Sequence, residues 1–285
     1  MNPGFLEYTY LNPSSYPGSW CGVVDLGLRG KLALVTGGSS GLGFASALEL
    51  ALEGADVILF SRSMERLESA RRRIREVASV NVDIYAGDLR VKEDVEGLFK
   101  YVESRYGRLD ILVYSTGGPK PGGFFDISDD DWEDSFKLLT MSALRVSREA
   151  AKLMARGRWG RIVFIGSITL IRPLENLATS NIMRMPIVGL VRTLALELAK
   201  YNITVNAILP YDVLTERVRQ LAEADAKRLG VSFEEALKRR TSKVPLGRMG
   251  DPRDLGALVA FLASERASYI TGALIPLDGG MHINY

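Results

Sequence analysis

The chain has 285 residues, 47% of them apolar and 25% charged, a composition that can bury a sizeable core and excludes general disorder. A formal charge of +2, with no basic run interleaved with aromatics, argues against nucleic acid or a membrane surface as a partner. Its one cysteine, Cys21, excludes an internal disulfide. With no apolar run near the roughly 18 residues of a membrane span and no signal-peptide pattern, the expectation is a reducing, cytoplasmic setting.

Residues 1–24 are rich in Pro, Gly, Ser, Asn and aromatics without helical or strand periodicity, and read as an irregular arm. From Asp25 onward the pattern is regular, and 25–285 reads as one domain. KLALVTGG (31–38) is a short apolar strand ending in glycines, and a helix is expected over 43–53, with Ala45, Leu48 and Leu52 on one face. The strand DVILFSR (56–62), a charged helix (64–78), NVDIYAGDL (81–89), a helix over about 92–105 and the strand LDILVYS (109–115) follow. Next come one helix across 130–155, the strand RIVFIGS (161–167), a long helix ending near Lys200, and the strands ITVNAILP (203–210) and ALIPLD (273–278). Ser128 with Asp131 and Ser232 with Glu235 have capping-box spacing, and Asp251–Pro252 reads as a cap followed by proline at the first helical position. Apolar strands alternating with helices predict an α/β fold, a single doubly wound parallel sheet covered by helices on both faces. The polar, charged stretch 211–245 lies between a core strand and the last elements and reads as a lid.

The loop TGGSSGLG (36–43) joins the first strand to the first helix and places glycines at Gly37, Gly41 and Gly43, with Gly38 extra. Such glycines let backbone approach a pyrophosphate at the positive end of the following helix. The loop resembles the T-G-x-x-x-G-x-G motif of the short-chain dehydrogenase/reductase family, and LAKYNITVNAILP and ASYITGALIPLDGG resemble the family's later segments, so that the likeness runs from about Asp25 to Gly280. The resemblance, for which 3-oxoacyl-carrier-protein reductase is a name attached to many such sequences, implies a Rossmann-type fold, a nicotinamide cofactor, hydride transfer to or from a carbonyl or alcohol substrate, and a homotetramer. It also implies cofactor contacts from Ser39, Ser40 and Leu42 in the glycine loop, from Asp88 and Leu89 near the adenine, from Ser115, Thr116 and Gly117, and from Pro210, Val213 and Thr215. The second strand ends FSRS (60–63), without the acid that accepts bonds from the ribose of NAD, and with Arg62 in reach of a 2′-phosphate. NADP(H) is therefore preferred over NAD(H), which stays possible.

The catalytic centre departs from the family's Asn, Ser, Tyr and Lys. Ser167 matches the Ser, but the Tyr and Lys positions are Ser180 and Arg184, and the Asn position is Leu139. An aliphatic hydroxyl is a far weaker acid than a phenol of pKa about 10, and a guanidinium does not shuttle protons. Arg184 keeps the ability to hydrogen-bond a ribose, and Ser167, Ser180 and Arg184 together are the candidate stabilisers of a developing alkoxide, a contribution of about 3 kcal/mol per donor. The proton then comes from water or another group, with Tyr114, Tyr211 and Lys120 as candidates, although Tyr114, ending a core strand, reads more readily as packed and Lys120 as a solvated loop residue. The same S-N-x-x-R replacement and a G-G-P-x-P-G loop like GGPKPGG (117–123) mark a subgroup that this chain resembles. Two readings stay open: an oxidoreductase with altered chemistry, or a non-catalytic cofactor-binding sensor or partner subunit. The single histidine, His282, draws no metal site.

Overall fold

The computed structural model describes residues 25–284, so the arm at 1–24, with Cys21, lies outside the described residues. The regular elements run β1 (Leu32–Thr36), α1 (Gly41–Leu52), β2 (Asp56–Ser61), α2 (Met64–Arg75), β3 (Val82–Ala86), α3 (Lys92–Tyr106), β4 (Ile111–Tyr114), α4 (Asp129–Phe136), α5 (Ser142–Gly157), β5 (Gly160–Ile165), α6 (Ala178–Met183), α7 (Pro186–Leu198), β6 (Ile203–Pro210), α8 (Glu216–Leu229), α9 (Phe233–Thr241), α10 (Pro252–Leu262) and β7 (Leu274–Leu277). Seven parallel strands form one sheet in the order β3-β2-β1-β4-β5-β6-β7. Alternate side chains of each central strand enter opposite layers, because successive residues of a strand face opposite ways. Leu32 and Leu34 of β1 pack with Leu98 of α3, Val146 of α5 and Val191 of α7. Ala33 and Val35 pack instead with Ala47 of α1, Leu67 of α2 and Val259 of α10.

Two expected helices are interrupted. The helix across 130–155 contains a π-helical turn at Lys137–Met141, between α4 and α5. The Leu138 carbonyl there accepts from the Tyr114 hydroxyl at 3.1 Å and from the Ser142 hydroxyl, so side chains replace the lost regular bonding. The helix ending near Lys200 is broken between Met183 and Pro186, because proline has no amide to continue the ladder and begins α7 instead. Ser128 and Asp131 form a reciprocal box at the start of α4. Ser232 caps α9 by accepting from the Glu235 amide, and Asp251 caps α10 with Pro252 at its start.

Candidate active site

The strand order reverses direction about β1, whose neighbours β2 and β4 lead the chain to opposite edges, and such a point opens a crevice at the carboxyl ends of the strands. A cavity of about 940 Å³ lies there. Its lining brings together the cofactor positions expected from the sequence: Gly37, Ser39, Ser40, Gly41, Leu42 and Gly43 of the glycine loop, Arg62 after β2, Asp88 and Leu89 after β3, and Ser115, Thr116 and Gly117 after β4. Pro210, Val213 and Thr215, after β6, line it too, with Thr215 next to Gly41, and so do Ser167, Ser180 and Arg184.

The glycine loop is built for a tight approach. Gly37 has φ +60°, and a Cβ on Gly43 would stand 2.4 Å from the Gly37 carbonyl oxygen. Ser40 precedes α1 without capping it, and no acid occupies the first turn, so the positive end of a 12-residue helix faces the cavity without a side-chain counterpart. The fit to a dinucleotide's pyrophosphate rests on these observations. Thr36 ties the neighbouring strand end in place: its hydroxyl donates to the Ser115 carbonyl (2.7 Å) and accepts from the Ser115 amide (2.9 Å). Thr116 Oγ1, one residue on, is buried without a partner.

β2 stops at Ser61 and Arg62 is exposed, in no ion pair among the described residues. Ser61 Oγ is buried with no partner and Ser61 lines the cavity, as does the exposed Arg66. Both were missed from sequence: Ser61 reads as an ordinary strand end and Arg66 as part of a solvated helix. The carboxylate of Asp88 is occupied, accepting from Arg90 Nη2 (2.6 Å) and the Arg90 amide (3.0 Å). Those bonds hold it below the usual carboxylate range, with Arg62 adding a weaker pull. Arg90 continues to Asp134 at 2.8 Å.

Ser167 Oγ accepts from the Thr169 amide (3.2 Å) and starts a short 3₁₀ turn, Ile168–Leu170. Thr169 Oγ1 in turn lies 3.2 Å from Ser180 Oγ, so one threonine couples the two serines. Arg184 closes α6 one turn after Ser180; it is 9% exposed, its Nε has no hydrogen-bond partner, and burial pulls its pKa down to about 10. Leu139, in the π-helical turn, is buried and apolar. Tyr114 is sealed in the core, its hydroxyl 2.5 Å from Ser142 Oγ, and does not line the cavity. Lys120 stands on the wall but is held 2.6 Å from Asp131. Tyr211 does line the cavity, and burial pushes its phenol up to about 12.

The 211–245 segment carries α8 and α9. Arg240 of α9 donates from Nε to Asp212 (3.1 Å) and from Nη1 to Asp225 (2.8 Å), closing the 211–245 segment on itself. Among the described residues no group of three or more His, Cys, Asp or Glu could hold a metal ion. His282 sits 2.8 Å from Asp278, away from the cavity lining.

Comparison with known proteins agrees with this architecture. The family model described as enoyl-(acyl carrier protein) reductase matches residues 37–282. The NADPH-dependent reductase BacG of Bacillus subtilis is 33% identical over 251 residues, 88% of this chain and 97% of that one. The 3-oxoacyl-[acyl-carrier-protein] reductase FabG of Pseudomonas aeruginosa is 34% identical over 264 residues, 91% of this chain and all (100%) of that one. The crystal structure of L-sorbose reductase from Gluconobacter frateurii, complexed with NADPH and L-sorbose, superposes with a TM-score of 0.86 at 33% identity, covering 90% of this chain and 98% of that one. Sheet order, glycine loop and these full-length matches have one common account: the chain belongs to the short-chain dehydrogenase/reductase family of oxidoreductases.

Proposed function

We propose that this protein transfers hydride between NADP(H) and the carbonyl or alcohol carbon of a small molecule, with Ser167, Ser180 and Arg184 at the reacting centre. The observation that carries the reading is the convergence of the glycine loop, the uncapped start of α1 and the orphaned Arg184 on one cavity. The reductases among its relatives favour an enzyme over a non-catalytic sensor or subunit.

When bound, the nicotinamide supplies or takes the hydride. Ser167 and Ser180, coupled through Thr169, donate to the substrate oxygen as it gains charge. Arg184 opposes that charge from a dry position, where a fixed cation acts more strongly than in water. Tyr114 is buried and does not line the cavity, and Lys120 is paired with Asp131, which leaves water and Tyr211 to carry the proton. The backbone of Gly37–Gly43 holds the pyrophosphate, and Arg62, with Ser61 beside it, holds the 2′-phosphate of NADP. The 211–245 segment serves as the lid. A homotetramer in the cytoplasm completes the reading, supported by the exposed Leu196 on α7 (82% exposed) and by the single cysteine.

Fluorescence titration with NADPH and NADH tests the cofactor assignment. The wild type is expected to bind NADPH the tighter. Arg62→Ala is expected to reduce that preference about tenfold, since one charge-assisted contact amounts to roughly 1.4 kcal/mol. Equal affinities in the wild type would remove the phosphate role of Arg62.

A further inference from the structure

Cations around the cavity fall into three groups. Arg90 is paired with Asp88 and Asp134, Arg240 with Asp212 and Asp225, and Lys120 with Asp131. Arg62 and Arg66 are exposed, so water satisfies their charge. Arg184 and Arg217 belong to neither group. Both line the cavity and neither is in an ion pair among the described residues, and one loop ties their elements together: Arg217 of α8 donates to the Pro119 carbonyl, and Thr179 of α6, the helix that Arg184 closes, donates to the Lys120 carbonyl at 2.6 Å.

Each arginine is held where its charge is poorly compensated. Arg184 is 9% exposed with Nε unpartnered, although a guanidinium carries five donors that need acceptors. Arg217 is half-buried in the first turn of α8, where the helix dipole disfavours a cation. Its guanidinium is fixed by the 118–119 loop: Nη2 donates to the Pro119 carbonyl at 2.7 Å, and a Cβ on Gly118 would meet its Nε at 2.4 Å. Burial lowers the pKa of both groups. Two like charges held in a low-dielectric wall are costly unless an anion enters between them.

We infer that Arg184 and Arg217 form a carboxylate-binding subsite, and that the substrate is an oxo acid, or the matching hydroxy acid, with an apolar tail. The inference rests on the reading of the cavity as an oxidoreductase site and names its substrate class. A carboxylate accepts two parallel bonds from a guanidinium, and its charge answers both cations at once. A ribose hydroxyl can accept from Arg184 but carries no charge to offset the pair. The tail is accommodated by Ile168, Leu174, Leu177 and Leu221, which line the same cavity. A second anion, the cofactor's own pyrophosphate, is separated from the substrate by the experiment.

NADPH affinity is measured first by fluorescence. Calorimetry on the NADPH-saturated protein then compares 2-oxohexanoate and 3-oxohexanoate with their methyl esters, which keep shape and carbonyl but lose the charge. At least one acid is expected to bind about tenfold or more tighter than its ester, as charge-assisted bonds require. Arg217→Met is expected to bring the ratio to within about twofold, and Arg217→Lys to retain part of it, with circular dichroism checking the fold. Acids that bind no tighter than esters, or do not bind at all, overturn the inference even if neither variant folds. So does an Arg217→Met protein that keeps the ratio while losing NADPH affinity, which would assign the anion to the cofactor. Failure of the wild type to bind NADPH would remove the cofactor reading alone, because the acid-to-ester ratio is then read on the cofactor-free protein and still decides the subsite.

Discussion

At Gly43 the backbone of the first turn of α1 passes so close to Gly37 that a single methyl group would overlap a carbonyl oxygen. The obstacle is main chain in a loop fixed between β1 and α1, so it cannot swing aside as a side-chain tip would. Gly43→Ala is therefore expected to lower stability by about 2 kcal/mol, in the range of overpacking a tight site, and to abolish NADPH binding. Thermal melting with a parallel NADPH titration checks both, and unchanged binding would remove the loop from the cofactor site. Arg184 makes the complementary point about chemistry. Burial brings its pKa to about 10, which still leaves it charged at neutral pH. A lysine under the same desolvation starts about two units lower and moves toward neutrality. That position 184 carries a guanidinium was legible in sequence, but its dry setting, with Nε unpartnered, was not. That Tyr114 ends a core strand and packs was legible, but the partner of its hydroxyl, Ser142, 28 positions on, was not.

At the scale of elements, the edge strand β3 is fastened to α3 by a polar cluster. Asp83 accepts from the hydroxyls of Tyr101 (2.6 Å) and Tyr106 (2.7 Å) and from Arg105 Nε (2.6 Å). Burial alone would raise the carboxyl pKa, but these bonds outweigh it and hold it below the usual range. Burial and the bond to Asp83 push Tyr101 up to about 12. The folded protein thus favours the protonated phenol. Its contribution is complete below the unfolded pKa of about 10 and is lost as pH rises through about 12. The Asp83 contribution has the opposite sense, present above about 3.9 and lost as pH falls through its lowered folded value. Tyr101→Phe is expected to cost about 1 kcal/mol at pH 7 and progressively less as pH approaches 12, followed by denaturant melts across that window. A gap that stays constant with pH would show that the phenolic proton plays no part. The pairing of β3 with α3 follows from chain order and apolar period, while the convergence of three polar side chains on one carboxylate depends on the register in which the helix packs.

Over the whole molecule, one layer stands apart from the doubly wound core. The α8–α9 segment is joined to the rest by a parallel bridge between Val213 and Gly250 and the Leu214 amide bonded to the Gly250 carbonyl (2.8 Å). Arg240 draws its two helices together through Asp212 and Asp225, and Asp212 is nearly fully buried. Removing the arginine leaves that carboxylate uncompensated, a loss of about 3 kcal/mol for a buried pair broken on one side. Local opening then becomes more frequent. Arg240→Ala is expected to raise the rate of thermolysin cleavage within 213–243 about tenfold or more, with NADPH restoring part of the protection. Equal cleavage in variant and wild type would argue against this arginine as the fastening of the lid.

Alternating apolar strands and helices, the glycine loop, the missing acid after the second strand and the altered Ser180 and Arg184 are written in contiguous residues, because periodicity, turns and caps depend on near neighbours. From them the sequence by itself determined the fold class and the family, and placed the glycine loop between the first strand and the first helix. Tertiary structure alone decided which charges are paired. Arg90 reaches Asp134, Arg240 reaches Asp212 and Lys120 reaches Asp131, carboxylates between 11 and 44 positions away in the chain, whereas Arg184 and Arg217, brought from α6 and α8 to the same cavity, find none among the described residues. Whether a charged side chain is solvated, neutralised or left waiting for a ligand depends on which distant segments meet around it, and local pattern carries no record of that meeting.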